Sequence, residues 1–356
     1  MGIRVAIAGV GNCASALIQG VEYYKDAKRD EVIPGVMHTY FGDYHISDVE
    51  FVAAFEVNKE KIGKDLSEAI WAPPNNVAKF SDVPETSVIV QAAPIMDGVA
   101  PHMYESFRAD KSIEPVDVTQ ILKDTKADML VNYLPVGSAN ATEYYAQCAL
   151  DAGCAFVNCI PEFIASRPEW AKKFEEAGLP VAGDDIKSQV GATILHRVVS
   201  KLFYDRGVVL DSTYQLNIGG NTDFENMTVE NRLQTKRVSK TEAVQSLIPY
   251  KVPTRIGPSD YVPFLEDHKV CYIRINSHSF GNLPITFDAK LVVNDSPNSA
   301  GVVIDAIRAT KIALDRGISG QLLGISSYSF KHPPVQVPDD EAHRWVEEFI
   351  EGKRER

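Results

Sequence analysis

Cysteine is scarce in this 356-residue chain: Cys13, Cys148, Cys154, Cys159 and Cys271 are an odd number and show no C-x-x-C spacing. That pattern excludes a disulfide framework and a cysteine-based zinc cluster, and it suits reduced thiols in a cytoplasm. The eight histidines form no H-x-x-E-H or H-x-H pattern. Basic charge is also in deficit, with 36 Lys and Arg against 48 Asp and Glu and a net charge of −12. A nucleic-acid or anionic-membrane partner is therefore not expected, because phosphate backbones demand clustered cations. No apolar run approaches the roughly 20 residues that span a bilayer. The start of the chain lacks the basic region, apolar stretch and cleavage site of a signal peptide, so the expectation is a cytoplasmic protein. Repeats and low-complexity segments are missing as well.

What is present is an ordinary globular composition, 45% hydrophobic and 24% charged, on a length that suits two domains. "IRVAIAGVGNCASALIQG" is a β-branched run, a glycine turn and an amphipathic helix. Further buried strands are expected in "VEFVAAFEV", "TSVIVQAAP", "ADMLVNYLPVG", "CAFVNCIP" and "LPVAGDD", with helical patterns such as "VDVTQILKDTK" and "ATEYYAQCALDAG" between several of them. Alternating strands and helices imply an α/β fold with a parallel sheet covered on both faces. After the helix "QVGATILHRVVSKLFYDRG", the runs "STYQLNIGG", "KVCYIRINSHSF" and "ITFDAKLVVND" predict an antiparallel sheet. The long helix "SPNSAGVVIDAIRATKIALDRG" and a charged terminal helix follow. The resulting expectation is a Rossmann-like dinucleotide domain over 1–199 and 296–356, with an inserted α+β catalytic and oligomerisation domain over 200–295.

"GVGNCAS" matches G-x-G-x-x-A between a strand and a helix. Gly9 would permit the tight turn and Gly11 the approach of a pyrophosphate to the helix N-terminus, with Asn12, Cys13 and Ala14 opening that helix. Glu56, ending the second strand, is the candidate acceptor for a ribose hydroxyl and favours NAD over NADP. It lies about 45 residues past Gly11 rather than the usual ~20. The intervening "KDAKRDEVIPGVMHTYFGDYHI" is then an insertion expected to reach over the cofactor. "GDDIKSQVGAT" places Asp185 just past a strand end, where open α/β sheets bind ligands. "GGNTDFENM" puts Asn221 and Asp223 after a strand. Lys236 and Lys240 stand four apart where "SKTE" looks like a helix capping box.

Those motifs together, in the order "GVGNCASALIQGVEYY", "VNYLPVGS", "GDDIKSQVGAT", "GGNTDFENM", "KRVSKTEAV", "IGPSDY", "NDSPNSAG", resemble the inositol-phosphate synthases, particularly the short bacterial form. The resemblance covers nearly the whole chain. It implies an NAD-dependent, redox-neutral cyclisation of a sugar phosphate, glucose 6-phosphate, and a homotetramer. It assigns catalytic roles to Lys236, Lys240, Lys269 and Lys331 with Asp185, Asp223 and Asp295, the pair Asp267 and Lys269 forming an Asp-x-Lys match. Ser188, Gln189 and Lys240 are implied to hold the substrate phosphate. "KSQVGAT" departs from the eukaryotic K-S-G-Q-T, which offsets Gln189 and Thr193. Clustered carboxylates and an enolate would also suit a divalent metal such as Mg²⁺, Mn²⁺ or Zn²⁺, although no histidine pattern demands one.

Two other readings fit parts of the sequence. A plain NAD-linked dehydrogenase would accumulate NADH with its substrate, whereas a synthase gives no net change. A non-catalytic dinucleotide sensor would have neutral residues where this chain keeps its lysines.

Overall fold

A computed structural model describes residues 2–229, 232 and 234–356. The first half runs β1 (Ile3–Ala8), α1 (Asn12–Tyr23), a small hairpin of β2 (Tyr40–Phe41) and β3 (Tyr44–His45), β4 (Val49–Glu56), α2 (Leu66–Ala69) and β5 (Val90–Ala92). It continues through α3 (Val118–Asp124), β6 (Met129–Asn132), α4 (Ala139–Ala152), β7 (Ala155–Asn158), α5 (Pro168–Glu176) and β8 (Pro180–Gly183). Then come α6 (Ala192–Asp205), β9 (Val209–Gly219), α7 (Thr222–Asn226), α8 (Gln234–Gln245), β10 (Thr254–Tyr261), β11 (His268–His278) and β12 (Pro284–Asn294). The chain ends with α9 (Pro297–Asp315), β13 (Gly320–Gln321), α10 (Leu323–Ser329) and α11 (Asp339–Ile350).

Seven strands form one sheet in the order β13-β8-β7-β6-β1-β4-β5, and every pairing in it is parallel. This is the Rossmann-like α/β architecture that the strand and helix alternation predicts. Period-2 alternation sends Ile3, Val5 and Ile7 of β1 into one core and Ala6 and Ala8 into another. The first core is closed by α1 and α9, the second by α3, α4 and α5. Strand order reverses between β1 and β6, which opens a crevice at their carboxyl ends.

The second sheet has the order β10-β9-β11-β12. The expected strands are there, but the sheet is mixed rather than antiparallel, because β10 joins β9 in parallel. That strand holds "IGPSDY", whose Gly257 and Pro258 read as a turn; a register break falls beside Pro258, and α8 supplies the crossover that a parallel pair requires. Helix α6 packs Ala192, Leu195, Val199 and Phe203 against this sheet, so residue 199 lies inside an element of the second core.

The insertion after α1 does not reach over the crevice. None of residues 25–48 lines the cavity described below. They fold back on α9 instead, where the buried Arg308 donates to the carbonyls of His38, Thr39 and Tyr44 and pairs with Asp305. Gly301 allows this approach: a Cβ there would sit 1.5 Å from the Gly35 carbonyl oxygen.

Candidate active site

One continuous cavity begins at the glycine turn and ends among lysines. At the first end, Gly9 has φ +93°, and a Cβ would stand 2.8 Å from the Tyr133 carbonyl oxygen, so only glycine suits the turn. Space next to Gly11 is open, with nothing within 4 Å of a Cβ built there, and α1 begins without a side-chain cap. Helix N–H groups facing an open cradle are what a dinucleotide pyrophosphate requires. Glu56 is buried, and its carboxylate accepts the N–H groups of Val10, Val57 and Asn58 at 2.9, 2.8 and 3.3 Å. It therefore shapes the glycine turn as well as facing the cavity.

Asn12 and Cys13 line the same end, whereas Ala14 is buried in the main core. Burial, then Asp267 and Asp295, push the Cys13 thiol up to about 12, which leaves it a neutral wall group. Lys61 gave no sequence signal. It is buried, donates to the Val10 carbonyl at 2.8 Å, and lies 3.8 Å from Glu56.

The adjacent acids of "GDDIKS" have opposite tasks. Asp184 is fully buried and accepts from Asn158 Nδ2, the backbone N–H groups of Ile164, Ala165 and Ser166, and Ser166 Oγ. It organises the loop after β7. Asp185, held at φ +63°, turns into the cavity and meets Lys331 Nζ at 2.8 Å. Burial opposes its charge, yet Lys331 and Lys236 outweigh burial and hold the carboxyl below its ordinary range.

The remaining residues arrive from four elements or their flanks. Asp223 on α7 meets Lys236 on α8 at 2.5 Å, and Asp295 after β12 meets Lys269 on β11 at 2.7 Å. Burial works against the Lys269 ammonium, but Asp295 wins and the net shift is upward. Lys240 on α8 has no hydrogen-bond or ion-pair partner among the described residues. Burial, followed by Lys236, Lys269 and Lys331, draws its pKa down to about 7. All seven of the lysines and aspartates assigned to catalysis by resemblance thus line one cavity.

Two expectations change at this end. "SKTE" is not a capping box, because α8 already begins at Gln234; Ser239 lies inside the helix and donates to Asp185 at 2.6 Å. Asp267 lies outside the cavity lining and ties three segment starts together, accepting from Asn12, Asn221 and Ser296.

A side recess shares Ser188, Lys240, Lys269 and Lys331 with the main cavity and adds Thr193 at the N-terminus of α6. Gly191 leaves that helix without a side-chain cap. Gln215 and Asn217, which sequence reasoning missed, face the recess from β9; their only signal was a polar residue at alternate strand positions. Gln189 is absent from both linings, and its backbone N–H donates to the Asn298 carbonyl. Among the described residues no three His, Cys, Asp or Glu side chains gather to hold a metal. The three cavity aspartates are each engaged by a lysine, so this donor set does not fit a divalent ion.

Comparison with known proteins identifies the family. Residues 191–296 match the myo-inositol-1-phosphate synthase family. Inositol-3-phosphate synthase of Corynebacterium glutamicum is 57% identical over 356 residues, covering 98% of both chains. The chain belongs to the inositol-3-phosphate synthase family. The synthase of Mycobacterium tuberculosis is 56% identical over 353 residues, covering 98% of this chain and 96% of that one. A solved myo-inositol-1-phosphate synthase-related protein from Thermotoga maritima superposes with a TM-score of 0.80 at 24% identity over 99% of each chain, a likeness of fold. The structure of Ari2 gives 0.79 at 35% identity over 99% of this chain and 100% of that one. No helix among the described residues is long and apolar enough to cross a membrane.

Proposed function

We propose that this family member converts D-glucose 6-phosphate into 1L-myo-inositol 1-phosphate, which is 1D-myo-inositol 3-phosphate, with NAD as a cofactor that is regenerated in each turnover. The observation that carries the reading is the convergence of four lysines and three aspartates at the far end of a cavity that begins at a glycine turn. Gly9, Gly11, Asn12, Cys13 and Glu56 would hold the dinucleotide. When bound, NAD supplies a hydride acceptor for C5 and returns the hydride, which keeps the conversion redox-neutral.

The chain's own residues account for the rest. Lys331 passes one ammonium proton to the Asp185 carboxylate it is paired with as it takes the proton of the C5 hydroxyl, and the transfer runs backwards when the hydride returns. Loss of a proton from C6, which ends on the oxygen of the former C1 aldehyde, and attack of the enolate on C1 place negative charge on two oxygens in succession. Lys236 and Lys269 are preorganised by Asp223 and Asp295 to stabilise that charge. The phosphate dianion is assigned to the main cavity where it meets the recess at the start of α6, with Ser188, Thr193 and Lys240, which has no partner among the described residues, as donors. Gln189, turned away, has no part in this reading.

The deciding experiment incubates the protein with glucose 6-phosphate and NAD. One inositol phosphate per sugar phosphate, with no growth of NADH absorbance, is expected. Stoichiometric NADH would favour the dehydrogenase reading instead. A homotetramer is supported by the outer face of the second sheet, where Leu216 and its cross-strand neighbour Tyr272 are exposed; light scattering tests it. Five unpaired thiols support a reducing, cytoplasmic setting.

A further inference from the structure

Position 239 lies between the two lysines of α8. On a helix, residues three and four apart share a face, so Lys236, Ser239 and Lys240 form one stripe turned toward the cavity. A serine inside a helix commonly bonds back to the carbonyl four residues earlier. Ser239 does not; it is fully buried and donates to Asp185 Oδ2 at 2.6 Å across 54 residues of sequence. The other oxygen of that carboxylate takes Lys331. Resting on the function proposed above, we infer that Ser239 is a positioning residue: its hydroxyl fills the second oxygen of Asp185 and so keeps Lys240 free for the substrate phosphate.

The argument is one of valence. Three carboxylates face four ammonium groups, and three pairs are made: Lys236 with Asp223, Lys269 with Asp295, Lys331 with Asp185. An unfilled carboxylate oxygen in a buried place is costly, and without the hydroxyl its nearest source of relief is an ammonium. Lys236 is already held, which leaves Lys240. A neutral O–H satisfies the oxygen without spending a cation. The groups acting on Lys240 agree with this: Lys236 on its own helix, Lys269 on β11 and Lys331 after α10 all push its pKa down, and Asp185 after β8 pulls it up. Cys271 on β11 feels the Lys240 charge but is itself held neutral by burial. A carboxylate bound to Lys240 would compete with the substrate for the same ammonium.

The test measures acylation of Lys240 by acetic anhydride against pH in the ligand-free full-length protein, read by peptide mass spectrometry. The parent should show an inflection near pH 7. In Ser239→Ala it should rise by about one pH unit, which lowers the neutral fraction of Lys240 at about pH 7, and with it the labelling, by about fivefold. KM for glucose 6-phosphate should rise by about tenfold, with a smaller change in kcat. Ser239→Thr, which retains the hydroxyl, should return the inflection to the parent value; if threonine does not fit, the alanine measurement decides. An unmoved inflection in folded Ser239→Ala overturns the inference, as does a fall in kcat without a rise in KM, the signature of simple damage at Asp185. Because labelling needs neither NAD nor sugar phosphate, a shifted inflection in a protein that makes no inositol phosphate would sink the proposed reaction and leave the link between Ser239 and Lys240 standing.

Discussion

Two groups of buried cations differ in what their hydrogen bonds leave over. In the first, Lys187 and Arg197 share the carboxylate of Asp339 at 3.2 and 3.1 Å. Their remaining donors go to protein oxygens: Lys187 to the Ser327 carbonyl, Arg197 to the carbonyls of Ala243 and Val337 and to Gln336. The second group, Lys236, Lys240, Lys269 and Lys331, has three carboxylates and, among the described residues, one cation without a partner. Burial lowers Lys187 to about 8 and Lys240 to about 7, so a lowered lysine pKa does not separate the two groups. What separates them is satisfaction. A cluster in which every donor nitrogen has a protein partner holds α6, α10 and α11 together, and one with a nitrogen that has none among the described residues has capacity for an anion.

Removing the shared acid is the harshest way to break this contrast. Asp339→Ala leaves two buried cations without a counter-charge, and the loss of one partner from a buried pair costs about 3–5 kcal/mol. Denaturant unfolding should show a loss near the lower end of that range, since Asp339 is partly open to solvent. If stability fell by less than about 1 kcal/mol, the claim that this cluster is structural would fail.

The cavity cluster should respond through rate rather than folding. Lys331→Ala removes a donor at the reacting end and should lower kcat by about 10² to 10³, the usual effect of deleting one preorganised transition-state donor. NAD affinity should stay close to the parent, and the unfolding midpoint should fall less than in Asp339→Ala, because Lys236 still acts on the buried Asp185 carboxylate. Turnover within a few-fold of the parent in a folded, NAD-binding variant would make Lys331 a wall residue.

The fold was legible where period and turn chemistry agree, as in β1, the glycine turn and α1, where one stretch of residues carries the whole pattern. It was illegible in β10, because Gly257 and Pro258 mimic a turn and only the crossover through α8 fixes the strand's direction. The cavity residues were assigned through motif resemblance; spacing alone offers no reason for Lys236 and Lys331 to meet across nearly 100 residues. Long-range partnership also explains the failures. "SKTE" satisfies a local rule, yet Ser239 answers to Asp185. The insertion before β4 seemed placed to cover a cofactor, but Arg308, far along the chain, draws it to the opposite side.

At the dinucleotide end the expected effect is smaller. Glu56→Gln keeps the shape of the side chain and some of its bonds to the glycine turn while removing the negative charge. Weakening by about tenfold, equivalent to about 1.4 kcal/mol, is expected in an NAD titration, together with a narrower preference over NADP. An unaltered NAD affinity would assign the ribose contact to another residue and leave Glu56 with its bonds to Val10, Val57 and Asn58.

The last effect has the opposite sign. Lys240 has a folded-state pKa near 7, below the ordinary lysine value of 10.5, so between those limits the unfolded chain binds more protons than the folded one. Stability therefore rises as pH increases from about 7 toward 10.5, and below pH 7 the folded protein bears the full cost of a charged Lys240 beside three other lysines. Lys240→Met keeps most of the volume and removes the charge. In the ligand-free protein it should raise the unfolding midpoint at pH 6, and the gain should shrink steadily as pH approaches 10. The same variant should bind glucose 6-phosphate less tightly and raise KM, because the lost ammonium is the one that no carboxylate among the described residues pairs with. A stability gain equal at pH 6 and pH 10 would mean that methionine simply packs better, and one with no gain at pH 6 would mean that Lys240 is not held as a strained, spare cation.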